Sequence, residues 1–384
     1  MIRFTICFFA ALQLFMLETS AQKKHINIQW KIAGQLPAAN NKVNELGTSG
    51  SLAGILHDML IVAGGSNFPD SMPWLGGKKK YYDEGYVFKK NEDTIKKYRS
   101  FKLPFSIAYT ASCTTPHGIL SAGGENENGI SNKVLLIQWE PKNKSIIIKK
   151  LPDLPFAVTN ASVTANGNNI YLAGGETINT VSDKLLILDL KNRSAGWKVL
   201  PSLPKPVSHS VMINQSNGDH NCIYLIGGRE KNAGSTSKLY SSTFQFDLKT
   251  NKWSEKRSLP YNLSAGTGIS FGNDNILLFG GDKGEIFHRT EELIAAINNE
   301  KDELKKRQLD QQKIYLQSSH PGFSKEVLLY NTVTNKWTRI GNMPFDNPVT
   351  TVACKWGKDI IIPGGEIKAG VRTPHILLGK VSVK

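Results

Sequence analysis

A pair of adjacent glycines recurs six times along this chain of 384 residues, at Gly64-Gly65, Gly123-Gly124, Gly174-Gly175, Gly227-Gly228, Gly280-Gly281 and Gly364-Gly365. An apolar run leads into each pair. The intervals between pairs are 59, 51, 53, 53 and 84 residues, and with the two ends they account for nearly the whole chain. Thirty-four glycines is only slightly above the ordinary usage of roughly 7%, so the information lies in the period rather than the amount. A fixed period of this length belongs to an array, in which each unit buries its apolar faces against its neighbours. Hydrophobic residues at 40% and charged residues at 21% exclude a disordered or collagen-like chain.

Each unit carries the same internal punctuation. Short buried strands precede the glycines, as in Asn169-Ile170-Tyr171-Leu172-Ala173, Cys222-Ile223-Tyr224-Leu225-Ile226 and Asn275-Ile276-Leu277-Leu278-Phe279. Later comes a second apolar run, a Thr-Asn-Lys turn and a tryptophan, in Phe244 to Trp253 and Leu328 to Trp337. Leu203-Pro204, Leu259-Pro260 and Met343-Pro344 follow Trp197, Trp253 and Trp337 by six residues, and Leu103-Pro104 and Leu154-Pro155 hold the equivalent places earlier. The period of about 50 residues is that of the kelch repeat, four strands forming one blade of a β-propeller. The sixth copy of the ending lies at the beginning of the chain, in Trp30-Lys31-Ile32-Ala33-Gly34-Gln35-Leu36-Pro37. The expected fold is therefore all-β: one six-bladed kelch-type propeller over residues 22–384, with a strand at about 26–33 closing the last blade.

The interval of 84 residues has room for an insertion in the fifth blade, and the sequence predicts a helix from about 288 to 316. Leu293, Ile297 and Leu304 fall at helical spacing there, among six acidic and six basic residues. A lid packed on one face and a partner-binding arm both fit such a helix. At the start, Arg3 precedes the apolar stretch Phe4 to Leu17, and Thr19-Ser20-Ala21 offers small residues for cleavage. The stretch is shorter than the roughly 20 residues that span a bilayer, so residues 1–21 are expected to be a signal peptide, and the protein exported, to a periplasm. Its loss removes Arg3 and Glu18 and leaves the formal charge at +15. Such a balance suits nucleic acid, anionic membrane or an acidic small molecule, and export argues against the first. Cys113, Cys222 and Cys354 remain, with no paired spacing, and are expected to be buried structural thiols.

Propellers carry function where loops from successive blades meet the axis. The residues after the glycine pairs begin such loops: Ser66-Asn67, Glu125, Glu176, Arg229, Asp282 and Glu366. A ring of solvated polar groups around a wet axis would look the same. The last loop, Glu366-Ile367-Lys368-Ala369-Gly370-Val371-Arg372-Thr373-Pro374, packs a carboxylate, two cations and another glycine together. It can present a base beside an anion clamp, or a surface ion pair of little worth. His57, His117 and His209 stand in separate repeats without ligand spacing, and no metal site is expected.

The motif Glu-x-Lys-x-Gly-x-Arg-Thr after Gly364-Gly365 resembles that of the N-acetylneuraminate epimerases, sialic acid mutarotases that are periplasmic six-bladed kelch propellers. Gly64-Gly65-Ser66-Asn67-Phe68-Pro69-Asp70, the following Trp74 to Tyr82, and His320-Pro321-Gly322-Phe323-Ser324-Lys325 after the insertion extend the likeness through all six blades. The Glu/Arg loop lies near the C-terminus here and mid-chain in that family, so the blade order is cyclically permuted, which a closed ring tolerates. The resemblance implies Glu366 as the proton acceptor and Arg372 as its companion. Arg372, with Lys368 or Arg229, would hold the carboxylate of an acidic sugar, and Glu176 and Asn67 are further expected contacts. It implies no metal, nucleotide or redox cofactor, no nucleic-acid partner and no membrane insertion. A propeller that binds glycan or protein without catalysis, and an enzyme for another acidic sugar, are the competing expectations.

Overall fold

The glycine pairs sit where one blade meets the next. In the computed structural model, which describes residues 26–38, 46–232 and 234–383, the second glycine donates its N–H to a carbonyl of the following blade. Gly65 reaches Ile107 O, Gly124 reaches Val158 O, Gly175 reaches Val207 O and Gly228 reaches Leu263 O, each at 2.8 Å. The first glycine adopts the left-handed backbone that this approach demands; Gly174, at φ +65°, has Val207 O only 2.0 Å from where a Cβ would stand. The expected signal peptide lies outside the described residues.

Six four-stranded antiparallel sheets result. The third, for example, consists of Ser162–Asn166, Asn169–Ala173, Leu185–Asp189 and Lys198–Leu200. The inner strands are apolar on both faces because each face meets another blade, and the six hydrophobic clusters coincide with the six blade junctions. The landmarks read from the sequence have physical roles in these junctions. Trp197, Trp253 and Trp337 donate their indole N–H to Pro152, Pro201 and Arg257 carbonyls of the preceding blade. Leu36, Leu103, Leu154, Leu203, Leu259 and Met343 are all buried.

The ring closes on the N-terminal strand. Ile26–Gln35, two residues longer than expected, pairs antiparallel with His375–Val383 as the outer strand of the last blade. Trp30 lies across Gly379 on its partner and meets the Phe279 ring of the fifth blade edge-on at 5.5 Å. The insertion departs from expectation: it is a hairpin of two helices, α1 (Glu285–Asn299) and α2 (Glu303–Ser318). Asp302 makes the break, accepting the Leu304 and Lys305 amides as an N-cap. Leu293 is buried, whereas Leu304, expected on the same apolar face, is 69% exposed because it starts the second helix. No helix among the described residues is long and apolar enough to cross a membrane.

Gly174→Ala and Gly167→Ala separate conformation from contact, since both glycines have φ near +60° and only Gly174 is crowded. Gly167→Ala should cost about 1 kcal/mol, the left-handed penalty. Gly174→Ala should cost roughly 2 kcal/mol more, because backbone must move at a blade junction. Denaturant unfolding of the two variants checks the difference, and equal losses would contradict it.

Candidate active site

Six backbone hydrogen bonds form a closed circlet about the axis. Gly50 donates to Thr350 O, Tyr109 to Gly50 O, Asn160 to Tyr109 O, His209 to Asn160 O, Ala265 to His209 O and Thr350 to Ala265 O, at 2.8 to 3.1 Å. All six residues have φ between +49° and +69°, so five non-glycine residues are held in the left-handed region. Each follows a residue bridged to the first position after a glycine pair: Ser49 to Ser66, Ala108 to Glu125, Thr159 to Glu176, Ser208 to Arg229, Ser264 to Asp282 and Val349 to Glu366. This frame aims one side chain per blade at the axis. Five circlet residues line both a 440 Å³ cavity above and a 520 Å³ axial channel below.

Glu366, Arg372, Arg229 and Glu176 all line the upper cavity. Glu366 and Arg372 are partners across a two-residue ladder, with Arg372 Nη2 3.2 Å from Glu366 Oε2. The other carboxylate oxygen accepts the Gly370 amide at 2.9 Å. The Arg372 side chain is 4% exposed, its guanidinium covered by the Phe68 ring at 4.8 Å and bonded to the Tyr109 hydroxyl at 3.3 Å. Its Nε and Nη1, and Nε of Arg229, are buried without a hydrogen-bond partner among the described residues.

A second station faces it. Arg229 Nη2 lies 3.4 Å from Glu176 Oε1 and 3.3 Å from His209 Nε2, and its guanidinium lies over Phe287 of α1 at 4.6 Å. A guanidinium can only donate, so Nε2 accepts and the imidazole proton is on Nδ1, directed to Ser208 Oγ at 3.1 Å. Ser208 passes its own proton to Glu176 at 3.0 Å. Burial, then the charge of Arg229, hold the His209 pKa well below 6.5. Although Nδ1 is 3.4 Å from Glu176, that carboxylate is already engaged by Ser208 and Arg229, and the imidazole stays neutral.

A third group completes the wall, where Glu125 accepts from Tyr81 at 2.7 Å and Lys79 at 3.1 Å. The helical hairpin forms the roof. It is braced on the fourth blade through Ser237, which bonds His288 and Glu291, and α2 reaches the Pro73–Leu75 turn of the first blade. Ile286, Phe287 and Thr290 of α1, and then His320 and Phe323, enter the cavity. His320 Nδ1 accepts the Gly322 amide, so its proton is on Nε2, and burial lowers its pKa despite Asp282 and Glu366 nearby.

The cavity wall carries three cations, Lys79, Arg229 and Arg372, against four carboxylates, Glu125, Glu176, Asp282 and Glu366. The formal +15 therefore does not reside there; Lys96, Lys97, Arg99, Lys149 and Lys150 on exposed outer strands show where it does.

Two expected contacts are not brought to the cavity. Asn67 is buried and spent on structure, giving Nδ2 to Gly47 O at 2.9 Å and accepting from Tyr82 at 2.7 Å. Lys368 is turned aside by a bulge between Glu366 and Lys368. Conversely, His209, expected to hold no metal, belongs to the cavity, and Tyr109, His320, Glu125, Lys79 and Phe287 join it. Of these, only Glu125 was marked by its place after a glycine pair. Cys222 and Cys354 are buried as expected and Cys113 is half-buried; both Cys113 and Cys354 line the axial channel. Burial pushes the Cys113 and Cys354 thiols up to about 12, away from nucleophilic duty. His220, Cys222 and Asp247 gather within 4.8 Å of one another. None of them lines the cavity, and Asp247 Oδ1 is committed to the Lys249 and Thr250 amides of its turn.

A family model described as N-acetylneuraminate epimerase matches residues 151–384. The N-acetylneuraminate epimerase of Haemophilus influenzae (strain PittEE) is 29% identical over 238 residues, 61% of this chain and 60% of that protein. That of Brucella melitensis biotype 1 is 26% identical over 234 residues, 60% of this chain and 58% of that protein, and that of Salmonella typhi 27% over 235 residues, 59% and 57%. The chain thus spans about three-fifths of the curated relatives it matches. A solved structure titled "Structure of YjhT" superposes with a TM-score of 0.61 over 92% of this chain and 100% of that one, at 15% identity, which shows a shared fold.

His209 gives a pH signature. Unfolding frees a neutral imidazole to charge with an ordinary pKa near 6.5, so below that pH the unfolded state takes up a proton that the fold refuses. Stability from this group is full above about 6.5 and is lost as pH falls, by at most about 1.4 kcal/mol per unit. His209→Asn, which keeps a residue tolerant of left-handed backbone, should flatten that loss. Thermal unfolding of both proteins at pH 5, 6 and 7 measures it, and identical slopes would exclude His209 as the source.

Proposed function

The chain belongs to the N-acetylneuraminate epimerase family, and on that premise we propose that it is a sialic acid mutarotase, an isomerase that interconverts the α- and β-anomers of N-acetylneuraminate. The observation that carries this reading is the buried Glu366–Arg372 pair in the cavity wall, with guanidinium donors on Arg372 and Arg229 left over after the protein contacts. The carboxylate is fixed on both oxygens and still 18% exposed to the cavity, where it can take a proton. The two guanidinium groups that line the cavity suit the carboxylate of the sugar. Three cations against four carboxylates make the wall selective by geometry rather than by an overall positive field.

Mutarotation opens the pyranose and recloses it. Glu366 takes the proton of the anomeric hydroxyl, the bond from the anomeric carbon to the ring oxygen breaks, and an acid protonates that oxygen. Rotation about the bond beside the new carbonyl presents its other face. The same two groups then return their protons in reverse, so nothing is consumed and no cofactor is required. A cyclic shift of blade order accounts for a linear family match that begins only at residue 151. The reading includes export to a periplasm, on the strength of the apolar stretch from Phe4 to Leu17 before Thr19-Ser20-Ala21.

Proton NMR of freshly released α-N-acetylneuraminate relaxing to the β-anomer tests the proposal. Wild type should outpace buffer, and Glu366→Gln should lose roughly 10²-fold or more while keeping its melting temperature, the usual size of a general-base contribution. Glucose mutarotation should not be accelerated equally, since it offers no carboxylate. A wild-type protein that binds the sugar but never beats buffer would replace this reading with that of a binding propeller.

A further inference from the structure

We propose that Tyr109 is the acid partner of Glu366, the group that protonates the ring oxygen as the pyranose opens; this rests on the mutarotase reading above. Arg372 Nη2 lies between the two, 3.2 Å from Glu366 Oε2 and 3.3 Å from Tyr109 Oη. A carboxylate and a phenol thus flank one guanidinium nitrogen at the cavity wall, Nη2 of the arginine that would hold a substrate carboxylate. In a sialic acid the carboxylate, the anomeric hydroxyl and the ring oxygen are all attached to the anomeric carbon. Anchoring the first on Arg372 brings the other two to the two flanking oxygens.

The contacts of the phenol leave its own hydrogen the least committed. Oη accepts from Ser66 Oγ at 3.0 Å as well as from Arg372, so its own hydrogen is left for Ser49 Oγ, at 3.3 Å, or for a ligand. Both bonds that Oη accepts persist while it gives a hydrogen to a ligand, and Lys79 Nζ lies 4.8 Å from the ring centre. The neighbours are engaged as acceptors or hold their proton. Glu125 accepts from Tyr81 and Lys79, and Asp282 accepts the Gly284 amide, as ionised carboxylates do. His320 is a neutral imidazole held below its ordinary pKa, able to donate a hydrogen bond but not to release a proton.

The placement of Tyr109 is built in at three points. It is the one tyrosine of the backbone circlet, held at φ +54°, where a bulky side chain is an outlier. Gly50 makes room for it, since a Cβ there would come within 2.6 to 2.9 Å of the Tyr109 N, Cδ1 and Cγ. Ser66 does so too: it occupies the position after the glycine pair where the other five blades carry Glu125, Glu176, Arg229, Asp282 and Glu366. The balance of atoms is simple. Tyr109 gives its proton to the ring oxygen while Glu366 gains the anomeric proton, and both return on reclosure.

Saturation kinetics of α-N-acetylneuraminate mutarotation, with wild type, Tyr109→Phe and Ser66→Ala, decide the matter. Tyr109→Phe should lower kcat by about 10²-fold with KM within about threefold, the pattern of an interaction made in the transition state. Ser66→Ala, which leaves the phenol but removes one bond to its anion, should lower kcat by about tenfold, close to the value of one hydrogen bond to a charged group, and it stands in for Tyr109→Phe should that variant not fold. An active wild type with kcat unchanged in the folded variants overturns the role of Tyr109 alone. A wild type no faster than buffer overturns the mutarotase reading and this inference with it.

Discussion

Everything in this molecule hangs on how closely one blade's backbone can approach the next. The second glycine of each pair hands its N–H to a neighbouring carbonyl at 2.8 Å in five of the six units, and the first glycine leaves no room for even a methyl group. A propeller has no central core; its apolar clusters are six separate junctions, each shared by two blades. Burial alone would let those junctions slide, because apolar contact has no direction. The directional bonds at the glycines and around the circlet fix the rotation of each blade about the axis, and so decide which side chains converge.

That is also why the fold could be read from the sequence and half of the site could not. A demand made six times by the same backbone geometry leaves a periodic mark: paired glycines, the outer-strand tryptophans, the buried leucine or methionine before proline. Side chains in the site obey no such repetition. Glu366, Arg372, Arg229 and Glu176 were found because they occupy the first residues after a glycine pair or the charged last loop. Tyr109 and His209 were passed over because the circlet position is held by Gly, Tyr, Asn, His, Ala and Thr in turn, and what unites them is a positive φ that composition does not reveal. Asn67 and Lys368 failed for equally local reasons. Neighbours on a strand face opposite ways, which sends Asn67 away from the direction of Ser66, and one bulged residue separates Lys368 from Glu366. The insertion is visible by its length, but nothing in the helical spacing marks the three residues Glu300, Lys301 and Asp302 that fold it back.

Net charge proved a poor guide to the cavity. A balance of +15 spread over exposed outer strands is screened within about 10 Å at ordinary ionic strength, and the cavity wall has its cations matched by carboxylates. What distinguishes the two arginines is their confinement. Each is pinned through one nitrogen by a carboxylate and covered on one face by a phenylalanine, so the remaining donors have fixed directions and little water. Donors of that kind discriminate by shape and by partner, because a ligand unable to pair them leaves buried polar groups unsatisfied at a cost of about 1–3 kcal/mol each.

The position of the site in the ring makes closure and chemistry one problem. Arg372 comes from the last blade, Phe68 from the first and Tyr109 from the second, 263 residues away from Arg372 in the chain. The seam between the last and first blades therefore runs through the pair that carries the proposed reaction. It is held shut by the strand Ile26–Gln35, which completes the sheet that supports Glu366 and Arg372. The chain itself crosses from that strand into the first blade, and the seam is held besides by the apolar cluster the two blades share, by Gly365 N–H to Thr48 O at 2.8 Å and by Lys90 to Asp359 at 2.7 Å, so the geometry around Glu366 is only as rigid as this closure.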